Sequence, residues 1–67
     1  MKASELRELT IDDLKQKLLE LRKTMFTYGL QRAAGTLDKF HVIGQTRKNI
    51  ARVKTVITQK QREVANG

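Results

Sequence analysis

Between Arg47 and Thr55 the chain reads Arg-Lys-Asn-Ile-Ala-Arg-Val-Lys-Thr, four cations and a hydroxyl within nine residues. The chemistry such a set offers is charge neutralisation. Arginine can bridge two phosphate oxygens with its planar fork, and lysine supplies a compact point charge. On a 3.6-residue period, His41, Lys48, Arg52, Thr55 and Gln59 share one side of a helix. Ile43, Thr46, Ile50, Val53 and Ile57 share the other, and Arg47 and Lys54 lie at the border. No Asp or Glu occurs between Lys39 and Lys60. Surface helices normally intersperse signs to gain pairs one turn apart. A solvated charged face is the plain alternative, but a purely cationic one fits phosphates as the missing counter-charge. His41 reads either as a solvent-facing histidine or as a hydrogen-bonding group toward phosphate or ribose. Arg32 falls at the end of the preceding helix, where it would flank the tip of a hairpin together with Lys39. It also reads as a terminal arginine favoured by the helix dipole.

Phosphate contacts of this kind position a protein without reading base sequence. Specificity would then come from the shape of a folded nucleic acid, with 2′-hydroxyls separating RNA from DNA. Aromatic residues make up only 4% of the chain, too few for a base-stacking platform.

The residues for catalysis are missing. Gly29, Gly35 and Gly44 form no phosphate-cradling loop, since no strand precedes any of them. Serine occurs only at Ser4, remote in sequence from the lone His41, and no nucleophile–base set is suggested. Without cysteine there is no disulfide framework and no thiolate metal site. The sequence calls for no enzyme, no cofactor, no metal and no small-molecule substrate.

The elements that must hold the cationic face are helices. Proline is absent, strand alternation is missing and good helix formers dominate, so the expected class is all-α. A short helix is expected over 2–9, with Leu6 and Leu9 one turn apart, too short to stand alone. Thr10 is a good cap for a helix over 10–34. Asp12 and Asp13 fill its first turn, and Leu9 and Leu14 are placed for a hydrophobic staple. Ile11, Leu14, Leu18, Leu21, Met25 and Tyr28 then recur at spacings of three and four, a coiled-coil-like seam. Gly35 suits a left-handed residue after the helix end. A turn over 35–37, with Thr36 or Asp38 as cap, leads into a helix over 38–63 and a frayed tail over 64–67. So short a connection makes the two long helices antiparallel, matching Tyr28 with Ile43, Leu21 with Ile50, Leu18 with Val53 and Leu14 with Ile57. Gly29 and Gly44 fall near one level, which suggests close approach of the helices, or of an outside backbone, near the tip. Leu19, Phe26 and Leu30 form a second apolar strip that a two-helix unit cannot bury. It is either a protein-contact surface or a bare strip.

With 67 residues the chain is one small domain. Fourteen Lys/Arg against seven Asp/Glu give a net charge of +7, which favours an anionic partner. The excess is uneven. Residues 1–34 carry seven basic and five acidic side chains, whereas 35–67 carry seven basic and only Asp38 and Glu63. No apolar run approaches the ~18 residues of a membrane span and no apolar signal core opens the chain, so a soluble intracellular protein is expected.

The capped long helix, the Ala33-Ala34-Gly35-Thr36-Leu37 turn, His41 and then Arg47-Lys48-x-Ile50-Ala51-Arg52-Val53-Lys54-Thr55 together resemble the bacterial large ribosomal subunit protein twenty-nine family. The Met1-Lys2-Ala3-x-Glu5-Leu6-Arg7 start extends the resemblance over nearly the whole chain. It implies a three-helix protein dominated by a long hairpin. Such a protein binds large-subunit ribosomal RNA near the peptide exit, beside protein twenty-three and close to where the signal recognition particle and trigger factor dock. The family's RNA-facing positions would be Arg47, Lys48, Arg52 and Lys54, with Lys2 and Arg7 as further contacts. The chain departs from the family at Gly44, where a basic residue is common, and at Thr46, where an aliphatic one is. The setting implied is the cytoplasmic ribosome, with an organellar ribosome as the other one the sequence allows. From a different class, the spare apolar strip leaves open a homodimeric helical-hairpin interaction module. A chorismate-mutase-like helical enzyme is faintly echoed by Leu6-Arg7-Glu8-Leu9 and Asp12-Asp13, but the third long helix that would wall a pocket is missing.

Overall fold

Residues 1–66 are described by a computed structural model. The chain is all-helical, with α1 (Ala3–Arg7), α2 (Ile11–Ala33) and α3 (His41–Asn66). Thr10 caps α2, its hydroxyl accepting from the Asp13 amide at 3.1 Å. At the other end the chain closes with two reversed bonds. The Thr36 amide donates to the Gln31 carbonyl at 2.8 Å and the Gly35 amide to the Arg32 carbonyl at 3.1 Å. This is a Schellman ending, and it needs the left-handed φ of +74° that Gly35 supplies.

Helix α3 begins at His41, three residues later than the spacing predicts. Thr36 does not cap it, because its hydroxyl donates back to the Gln31 carbonyl at 3.3 Å. Residues 37–40 are irregular, and Lys39 therefore lies in the connection. The tail expected to fray over 64–67 is helical through Asn66, since neither glycine nor proline interrupts it there. Gly67, the end of that expected tail, lies outside the described residues.

Helices α2 and α3 pack as an antiparallel pair, and α1 folds onto α3. Leu6, Leu14, Val53, Val56 and Ile57 form the buried cluster, with Leu9, Leu18 and Leu21 packed against it. Two of the expected layers, Leu14 with Ile57 and Leu18 with Val53, fall in this cluster. Burying each large side chain is worth about 1.5–3 kcal/mol, so the core is strong at the base of the hairpin. Toward the tip, Met25, Tyr28 and Ile43 are only half-buried. Thr46 is 7% exposed, and its hydroxyl donates to the Val42 carbonyl at 2.7 Å. The helix thus satisfies the one polar side chain buried among the described residues.

The two helix glycines do not mark a close approach within the molecule. A Cβ placed at Gly29 or Gly44 would meet nothing within 4 Å. The strip of Leu19, Phe26 and Leu30 is exposed by 55%, 68% and 57%, on the side of α2 away from the seam. Among the described residues no helix is long and apolar enough to cross a membrane.

Candidate nucleic-acid interface

The side of α3 opposite the seam is exposed, because the seam residues turn inward and leave Lys48, Arg52, Thr55 and Gln59 outward. Three contiguous depressions run along this side. The first is lined by Met1, Gln45, Lys48, Asn49 and Arg52. The second shares Lys48 and Arg52, and adds Ala3 and Arg7 of α1 with Ala51, Thr55 and Val56 of α3. The third adds Lys54, Thr58 and Arg62 to Thr55 and Gln59. From Gln45 to Arg62 the track covers about 25 Å at 1.5 Å rise per residue.

Helix α1 builds one wall of this track. Leu6, 2% exposed, anchors it in the core, which places Arg7 beside Lys48 and Arg52. Arg52 is fixed further by an Nη1 donor to the Met1 carbonyl at 2.5 Å. The guanidinium has five N–H donors, so this bond leaves others for an outside acceptor.

The expected site residues separate into groups. Lys48, Arg52 and Thr55 share one depression, and Thr55 and Lys54 share the next. Arg47 is exposed but lines none of the three. Arg32 and Lys39 are exposed at the hairpin tip, and Arg32 occupies the last turn of α2, where its charge complements the carbonyl end of the helix. His41 is exposed at the first position of α3, roughly 10 Å along the axis from Lys48. The Thr55 hydroxyl proton goes to the Ala51 carbonyl at 2.9 Å, so its oxygen is left to accept rather than to donate.

Sequence reasoning missed Arg62. It lies seven residues beyond Thr55 and therefore on the same face, near the end of the expected helix. It also missed Val56, buried to 2% exposure by α1 from a direction the two-helix seam does not include.

The sequence profile of the family described as "Ribosomal L29 protein" matches residues 4–60. The chain is also 42% identical, over all 67 residues and the full length of both proteins, to "Large ribosomal subunit protein uL29" of Sulfurihydrogenibium sp. (strain YO3AOP1). The cationic stretch lies inside the matched region, and the three helices agree with the fold the resemblance implies. The chain therefore belongs to the ribosomal L29 family, as a structural constituent of the large ribosomal subunit and not an enzyme.

Proposed function

We propose that the chain binds large-subunit ribosomal RNA through the outer face of α3. Lys48 and Arg52 stand at the centre, Arg47 and Lys54 on the flanks, and Thr55 accepts from ribose. His41 and the tip pair Arg32 and Lys39 extend the contact along the hairpin. In this reading the protein is a rigid cationic splint. It neutralises phosphates where RNA segments approach, and it adds no chemistry of its own. The observation that carries the reading is the acid-free exposed face of α3 from His41 to Gln59. Each neutralised phosphate releases condensed counterions, so affinity falls with salt.

The resemblance supports a place near the peptide exit tunnel, beside protein twenty-three, with the signal recognition particle and trigger factor docking nearby. The exposed strip of Leu19, Phe26 and Leu30 is the surface offered to a neighbouring protein. It lies on the outer side of α2, so it stays available while α3 holds RNA.

A salt titration of binding to large-subunit RNA tests the face. Changing Lys48 and Arg52 together to Ala should reduce the magnitude of the log–log salt slope by roughly 1 to 2. An unchanged slope would place the RNA on some other surface.

A further inference from the structure

The depression between α1 and α3 differs from the rest of the track in having an apolar floor. Ala3, Ala51 and the edge of Val56 form that floor, and Arg7, Lys48 and Arg52 form the rim. Its volume is about 310 Å³, at the lower end of sites that take a small organic group. A duplex backbone lying across α3 would present phosphates to the rim and nothing suited to the floor. The bases of a paired helix are stacked away from the protein, whereas unpaired bases can be splayed out toward it. An unpaired nucleotide carries both parts, an anionic phosphate and a flat body with little charge.

Resting on the RNA-binding reading, we propose that this groove seats one unpaired nucleotide of the RNA. Its base or ribose lies on Ala3 and Ala51, and its phosphate is held by Arg7, Lys48 and Arg52. The small side chains at 3 and 51 leave the room. The bond from Arg52 to the Met1 carbonyl holds the rim ready before RNA arrives. Thr55, lining the same groove with its oxygen free to accept, suits the 2′-hydroxyl of the seated nucleotide.

The test uses the full chain and two synthetic RNA hairpins, identical except that one carries a single unpaired adenosine. Binding is followed by fluorescence anisotropy over a salt series. The wild type should prefer the bulged hairpin by roughly fivefold, the effect expected for about one methylene's worth of apolar surface leaving water. Ala51→Leu fills the floor, removes no charge and introduces a good helix former. It should erase the preference while leaving helicity and the salt slope unchanged. Ala3→Leu, which fills the same floor from α1, should do the same. Equal wild-type affinity for the two hairpins, or a preference that survives both substitutions, overturns the proposal. Failure of the underlying RNA face looks different: Lys48→Ala with Arg52→Ala would then leave the slope untouched for both hairpins.

Discussion

Gly35, Gly29 and Gly44 are chemically identical and physically opposite. Gly35 sits at φ +74°, where an L side chain is crowded by its own backbone, and the reversed bonds that end α2 depend on it. Gly35→Ala should cost about 1–2 kcal/mol. Gly29 and Gly44 lie inside regular helix with open space beyond, so Gly29→Ala and Gly44→Ala should each add about 0.5–1 kcal/mol. Urea denaturation of the three variants would check the contrast, and a loss at either helix position would contradict the open space seen there. The role of Gly35 was legible because a glycine just past a periodic run has one common use. The freedom at Gly29 and Gly44 was not, since two glycines at one level read equally as a tight crossing. The spent proton of Thr55 was also invisible, because only the helix geometry brings the Ala51 carbonyl under its hydroxyl.

At the scale of elements, α1 matters more than its five residues suggest. Too short to persist alone, it is held by Leu6 and in return covers Val56 and carries Arg7 to the cationic track. Leu6→Ala should cost about 2–5 kcal/mol through the lost burial and the cavity left behind. It should also weaken RNA binding beyond what the loss of folding explains, since Arg7 and the Met1 carbonyl would leave their places. Comparing its RNA affinity under conditions where α2 and α3 remain folded by circular dichroism separates the two effects. Affinity equal to wild type there would mean that α1 does not contribute to the interface. The seam of α2 and α3 was readable from the periodicity, and so was the Thr10 cap. The landing site of α1 was not, because a five-residue helix with one buried leucine carries no directional pattern. The start of α3 was misplaced for a related reason: Thr36 can cap forward or bond backward, and the Schellman ending decides which.

The molecule as a whole is a rod of 49 × 17 × 14 Å with its core at one end. The buried apolar side chains come from α1, the start of α2 and the middle of α3, while the tip has half-buried residues on the seam and Phe26, Leu30 and Phe40 exposed. Amide hydrogen exchange should follow this gradient. Protection should be greatest around Leu14 and from Val53 to Ile57, and least near the ends of the helices at residues 28–33 and 41–45. Uniform protection along both long helices would show that the tip is held as firmly as the base. The two outward surfaces, apolar on α2 and cationic on α3, were foreseeable from composition and spacing. The lopsided distribution of burial was not, because every seam pair looked alike in sequence and only α1 makes one end three helices thick.

That lopsidedness sets an order of events for assembly. Arg7, Lys48 and Arg52 stand on the thick end, where the backbone is already immobilised before any RNA is met. Arg32 and Lys39 stand on the thin end, and whatever freedom it keeps must be surrendered on contact. The base should therefore act as an anchor that docks nearly as a rigid body, and the tip as a latch that settles afterwards onto whichever phosphates the anchored rod brings within reach.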